Sequence, residues 1–260
     1  MKSIIFTLTQ SPCNLKTTIY DNIFGFGDII RGLIGIYQLC EKHNINLYYN
    51  TDLHPISLYL DNDSSYSEYI KNNKDKIYFY NNKNDIINNI KDNEPLLLLS
   101  NIIFSQPITH NCKLFVKRFI NTNELFLELF NKNINYLNIS NGYDTIHYRI
   151  AGLNGDQKQF HYKKNVTFFL QHLLKNYKEN MIVLTDNSDF KKMFPNHIKY
   201  TNTKIGHFGY DKDPELFFGI LFDLYILKGS DNIYYHPHCG PSGFIKIINY
   251  LYDTKLMVIN

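Results

Sequence analysis

Short apolar runs alternate with amphipathic stretches along the whole chain. Residues 3–9 (SIIFTLT) make a near-continuous apolar run of the length of a buried strand. After a polar stretch, GFGD at 25–28 leads into residues 29–43, where Ile30, Leu33, Ile34, Tyr37 and Leu39 form an apolar face at helical spacing. Residues 46–49 are a short strand, so the opening reads strand, Gly-rich turn, helix, strand. That is a βαβ unit. Residues 50–94 are polar and rich in Asn and Lys. Within and just beyond them, 76–80 (KIYFY) and 95–99 (PLLLL) predict strands and 83–93 a helix. Residues 111–136 carry Leu114, Phe115, Phe119, Leu125, Phe126, Leu129 and Phe130 at helical spacing, which predicts two helices.

A second set begins near 143. Strands are expected at 143–150, 181–186, 197–201, 232–235 and over KLMVI at the end, with helices at 163–178, 188–194, 214–228 and 242–252. Strands alternating with helices imply mostly parallel sheets. Two such sets of similar length predict an α/β protein of two Rossmann-like halves facing a cleft, divided near NISNG at 138–142. The expected domains are therefore 1–140 and 141–260.

The chain has 260 residues, enough for a core without disulfide or metal staples. A net charge of +3 is too small to argue for nucleic acid. It suits an anionic small ligand at one local positive spot. Cys13, Cys40, Cys112 and Cys239 form no CxxC pair and show no zinc spacing with His, so free thiols in a reducing, cytoplasmic compartment are expected. No apolar run reaches the length of about 20 residues that a spanning helix needs. The abundance of Asn, Ile, Lys and Tyr is that of an AT-rich coding sequence, such as a large DNA virus or certain protists carry. Against 24 Lys there are three Arg: Arg31, Arg118 and Arg149. Where Lys is so favoured, a retained Arg marks a place where a planar fork matters.

Four motifs carry candidate chemistry. Gly25 and Gly27 can turn the backbone tightly before a helix whose positive end faces the same place, with Asp28 either a helix cap or a functional carboxylate. His147 and Arg149 lie two apart at a strand end and so share a face, followed by Gly152, Gly155 and Asp156. Ligands of doubly wound sheets bind at such strand ends, and an Arg fork there can grip a phosphate. The bland alternative is an ion pair with Asp144 or Asp156. Asp186 ends a strand (VLTD) and can accept from a base amino group or a ribose hydroxyl. Alternatively Asp186 or Ser188 caps the next helix. HPHCGPSG at 236–243 follows a strand and opens a helix, so that Gly240, Ser242 and Gly243 offer amides and a hydroxyl to an anion. His236 and His238 have no third ligand nearby in sequence, and no metal is expected. Asp223, on an apolar helix, reads as a paired residue.

In order and spacing these motifs resemble the fucosyltransferase superfamily of inverting glycosyltransferases, with a GT-B fold. The matching segments are GFGDIIRGLIGIYQL, HYRIAGLNGD, VLTD and FFGILFDLYILKGSDNIYYHPHCGPSGF. The likeness covers 22–49 and 143–250, and Ile150 stands where a second Arg often follows His-x-Arg. The resemblance implies a nucleotide-sugar donor, GDP-fucose above all, held by the C-terminal half as substrate, with no cofactor and no metal. It implies a glycan or protein acceptor on the N-terminal side. It gives Arg149 the donor diphosphate, Ser242 the phosphates and Asp186 the nucleoside. As diphosphate leaves, negative charge grows on it, and fixed donors there lower the barrier. Asp28 and Asp156 are candidates for the base that takes the acceptor proton. Two rival readings remain: a relative that binds a nucleotide sugar or glycan without turnover, and another enzyme class on a Rossmann-like sheet. The second is opposed by the lack of a Walker lysine or nucleophile elbow.

Overall fold

In the computed structural model, which describes residues 1–10, 25–61, 64–139, 142–150, 166–205, 208 and 212–260, the strands form two separate four-stranded sheets whose strand pairs all run parallel. Backbone contacts divide the chain into one unit of Met1–Phe126 with Phe208–Pro214 and a second of Leu127–His207 with Glu215–Asn260.

The first unit holds β1 (Ser3–Thr7), β2 (Asn46–Asn50), β3 (Tyr78–Tyr80) and β4 (Leu96–Ser100), in the order β2-β1-β4-β3. The inner strands β1 and β4 are buried through Ile4, Ile5, Phe6, Leu97, Leu98 and Leu99, which is why they read as continuous apolar runs. Helix α1 (Phe26–His43) starts three residues before the expected position 29. The Gly25 carbonyl accepts the Asp28 and Ile29 N–H groups, and the Asp28 carboxylate reaches back to the Gly25 N–H, so Phe26 and Gly27 are drawn into the first turn. Gly27 is thus a buried helix residue and not part of a turn. Further along, α1 lies directly on the end of β4: a Cβ at Gly32 would sit 1.7 Å from the Ser100 carbonyl oxygen.

Helices α2 (Ser67–Asn72), α3 (Lys83–Asn89) and α4 (His110–Phe119) complete this unit together with the start of α5 (Glu124–Ile134). Two strand and helix ends fall short of expectation. Lys74–Lys76 forms a 3-10 turn, so β3 begins only at Tyr78. Helix α3 stops at Asn89, because Asn93 turns back at φ 63° and Lys91 bridges Glu94. Phe208 returns to this unit, its ring stacked on His54 at 4.5 Å and meeting Phe26 edge-on at 5.2 Å.

The second unit holds β5 (Asp144–Tyr148), β6 (Met181–Thr185), β7 (Asn232–Tyr235) and β8 (Lys255–Val258), in the order β6-β5-β7-β8. Its helices are α6 (Val166–Asn176), α7 (Ser188–Lys192), α8 (Pro214–Lys228) and α9 (Gly243–Tyr252). Helix α8 is apolar around its whole circumference and accordingly buries Leu216, Phe217, Leu221, Phe222, Leu224, Ile226 and Leu227. Phe130 of α5 packs on Phe222 and Tyr225, which places the division at Phe126, ahead of the 138–142 stretch. The expected strand at 197–201 is not a strand. The Lys199 carbonyl accepts the Val183 N–H and the Thr201 N–H donates to the Val183 carbonyl, which makes one isolated bridge at Tyr200.

Candidate functional site

The register of the second sheet brings three of the motifs to one edge. Tyr148 pairs with Thr185 and His147 with Tyr235, so residues 149–150, 186–187 and 236–240 all follow the carboxyl ends of neighbouring strands. The Arg149 guanidinium lies 3.1 Å from one oxygen of Asp186. The other oxygen accepts the Ile150 N–H at 2.7 Å. Neither Asp144 nor Ser188 does what the sequence allowed it. Asp144 sits at the far end of β5 and accepts from the Asn232 amide at 2.8 Å. Helix α7 is capped by Asn187, whose side chain accepts the Phe190 N–H at 2.8 Å, which leaves Asp186 for Arg149.

The third motif is tied to the same place. The Arg149 backbone N–H is hydrogen-bonded to the Cys239 sulfur. Burial first, then the Asp186 carboxylate, push the Cys239 thiol up to about 12, so it stays protonated. The turn folds on itself, with Cys239 and Gly240 N–H groups both donating to the His236 carbonyl. Gly240 is at φ 61°, left-handed backbone that favours glycine. Its amide is therefore spent inside the turn and is not presented to a ligand, contrary to the sequence expectation. Ser242 is the N-cap of α9, its hydroxyl accepting the Ile245 N–H at 3.4 Å. That hydroxyl still has its own proton to donate. The Gly243 N–H has no acceptor among the described residues. The Ser242 hydroxyl and the first turn of α9, where the helix dipole favours an anion, thus lie in the same turn as Cys239, which binds the Arg149 backbone.

His147 is 7% exposed, and burial, reinforced by the Arg149 charge, holds its imidazole down at about 3. It is neutral at physiological pH and acts only through hydrogen bonds. Its Nδ1 is buried with no partner among the described residues.

His236 and His238 support the turn. The His236 Nδ1 accepts the His238 N–H at 3.1 Å, and its ring lies 4.2 Å edge-on from His172. His172 Nε2 faces the Ile259 carbonyl, which can only accept, so Nε2 carries the proton and Nδ1 accepts from the Tyr148 hydroxyl at 2.8 Å. Burial, then the neighbouring His172 and His238, lower the His236 imidazole to about 4. No three His, Cys, Asp or Glu side chains converge as a metal cage among the described residues.

One cluster was underrated by the sequence. Lys191 of α7 is buried, and its ammonium donates to the Thr203 carbonyl at 2.9 Å. Asp223 of α8 accepts from the Thr203 hydroxyl at 3.3 Å and faces Lys191. Burial raises the Asp223 carboxyl to about 6, against the pull of Lys191 and the threonines. Lys191 also feels Asp186, so the cluster adjoins the strand-end site. Asp223 is a paired residue, as its place on an apolar helix implied; its partner Lys191, one Lys among many, carries no such signal in sequence.

In the first unit, Asp28 is occupied locally. It accepts from the Gly25 N–H at 3.2 Å and pairs closely with Arg31. Gly25 is extended and caps α1. Gly152, Gly155, Asp156 and Cys13 lie outside the described residues.

Two four-stranded parallel sheets, each with helices joining its strands, define an α/β protein of the GT-B-like kind. No protein-family model matches the chain, and no curated protein matches it in sequence. Among solved structures it is similar to a NodZ α-1,6-fucosyltransferase co-crystallised with GDP, with a TM-score of 0.56 at 11% identity over 100% of this chain and 95% of that one. It is likewise similar to the fucosyltransferase NodZ from Bradyrhizobium (TM-score 0.56, 10% identity, 100% and 94% covered). A NodZ crystal soaked with GDP-fucose gives a TM-score of 0.54 at 12% identity, over 96% and 92% of the two chains. At such identities the likeness is one of fold.

Proposed function

We propose that the chain is an inverting glycosyltransferase that moves a sugar, fucose from GDP-fucose by preference, to a glycan or protein acceptor. The observation that carries this reading is the meeting of Arg149, Asp186 and the 236–243 turn at one sheet edge, within a fold shared with enzymes crystallised with GDP and GDP-fucose. A diphosphate laid there meets a guanidinium fork, the Ser242 hydroxyl and a helix N-terminus. Charge developing on the departing diphosphate is stabilised by donors already in place, each of which is worth about 10²–10³ in rate. Asp186 is a positioning residue in this scheme, fixing the guanidinium rather than touching the nucleoside. The second unit is then the donor domain and the first the acceptor side.

The reading of a binder without turnover draws support from Asp28, whose carboxylate is engaged by a cap and by Arg31. One assay separates the two. Chain incubated with GDP-fucose and glycan acceptors is monitored for GDP release. GDP binding is followed in parallel by melting temperature, where saturation at about 100 times Kd stabilises by about 2.7 kcal/mol. Release that Arg149→Lys abolishes supports the transferase. A GDP-induced shift without release supports the binder. No shift with GDP or GDP-fucose overturns both.

A further inference from the structure

At the outer edge of the first unit's sheet, β3 starts two residues later along the sheet than β4. Tyr78 pairs with Leu98, so Leu96 and Leu97 have no β3 neighbour. The notch this leaves is a pocket of about 360 Å3, within the range of about 300–1,000 Å3 typical of small-molecule sites. It opens beside the amino end of β4, whereas ligand crevices of parallel sheets lie at the carboxyl ends. It is therefore not the ligand crevice of this sheet.

Its lining has a distinct chemistry. Tyr78 and Tyr80 stand two apart on one strand, and their rings are nearly parallel, 10° between planes and 5.8 Å between centroids. Aromatic faces carry partial negative charge and attract polarised C–H groups. Asn73 and Asn89 flank them. Each spends one side-chain N–H on its own helix backbone, at 2.9 Å to Tyr69 and 2.7 Å to Asp85, which fixes the amide. The carbonyl oxygens of both amides accept nothing among the described residues. Lys76 and Lys91 share Glu94, one on each carboxylate oxygen at 3.9 and 4.0 Å. An anion would have to compete with Glu94 for both ammonium groups. A base would find its ring face satisfied but little use for donors and acceptors on both sides. A neutral polyhydroxylated ring with an apolar C–H face uses every feature: tyrosine rings in the lining for its C–H groups, amide oxygens and balanced charges for its hydroxyls.

We infer that this notch binds a neutral oligosaccharide through the Tyr78 and Tyr80 rings. The inference goes beyond the proposed transferase activity and does not rest on it. The test is saturation-transfer NMR and calorimetric titration of the full chain with cellotetraose and with chitotetraose, two neutral sugars with flat C–H faces. At least one should bind, with saturation transferred most strongly to ring protons. Tyr78→Ala should weaken it about tenfold and Tyr78→Phe by less than about threefold, with melting temperatures unchanged because Tyr78 is 36% exposed. Binding of neither sugar, equal binding by Tyr78→Ala, or binding at the notch of pyrophosphate in their place would overturn the inference. The GDP-induced shift in Tyr78→Ala reports separately on the donor reading.

Discussion

Arg149 and Asp186 are joined twice, by a 3.1 Å ion pair and by the Ile150 N–H that Asp186 accepts at 2.7 Å. A carboxylate bonded to the backbone next to the arginine it pairs with holds that arginine in a fixed place. The arginine side chain is braced by Asp186 and 37% exposed. Arg149→Lys keeps the charge and loses the fork. Turnover is expected to fall by about 10²–10³ with the fold intact. Asp186→Ala keeps the fork and loses the brace, and should lower kcat by about tenfold with a smaller effect on KM. Steady-state kinetics of GDP release on both variants checks this. Near-normal turnover of Arg149→Lys removes Arg149 from the chemistry.

Two glycines should respond oppositely in mechanism. At Gly240 the backbone is left-handed, but a Cβ would meet nothing within 4 Å. Gly240→Ala should therefore cost about 1 kcal/mol of backbone strain and mainly disturb the geometry of the 236–240 turn. At Gly32 the backbone is helical, but a Cβ would press on the Ser100 carbonyl. Gly32→Ala should cost about 3 kcal/mol, since backbone cannot give way as a side chain can. Urea midpoints rank the two; equal losses would mean that α1 does not lie against β4.

Stability should fall as pH drops below about 6.5. His54, His147 and His236 are buried and held at about 4, 3 and 4 by burial. Above pH 6.5 each is neutral folded or unfolded and contributes no slope. Below it the unfolded chain takes up protons that the folded one refuses, costing about 1.4 kcal/mol per pH unit for each histidine. Asp223 works the other way: its carboxyl is raised to about 6, so the unfolded chain loses that proton first and stability falls as pH rises from 3.8 to 6. Three groups outweigh one. Melting temperature should drop steadily from pH 7 to 5, and His236→Gln should make the slope shallower. A flat profile would contradict the burial of these imidazoles.

Lys191 and Asp223 should be coupled. Lys191→Met leaves Asp223 without its cation and should cost about 3 kcal/mol. Adding Asp223→Asn removes the stranded charge, so the double variant should be more stable than the two single losses imply, by about 1 kcal/mol or more. Additive losses in a denaturant cycle would show that Thr203 alone anchors Lys191.

Much of this was legible in the chain. The continuous apolar runs at Ile4–Phe6 and Leu97–Leu99 announced strands covered on both faces, and strands alternating with helices required parallel sheets. Strand ends bearing His147, Arg149 and Asp186 pointed to one edge, because period-2 alternation and parallel pairing leave few other places for them. The boundaries that slipped did so at turns. The start of α1 moved because the Asp28 carboxylate closes a cap across Gly25, and β3 shortened because Lys74–Lys76 curls first.

What the sequence determined by itself, then, is the order and type of elements and the small set of residues with chemistry at strand ends, since both follow from local periodicity. Only the tertiary structure decided their partners. It gave Asp186 to Arg149 because Asn187 caps α7, turned the Gly240 amide inward, buried Lys191 against Thr203, and opened the tyrosine notch where β3 falls short of β4. Each of these depends on contacts between residues distant in the chain or on competition for a single hydrogen bond, and neither leaves a periodic trace in sequence.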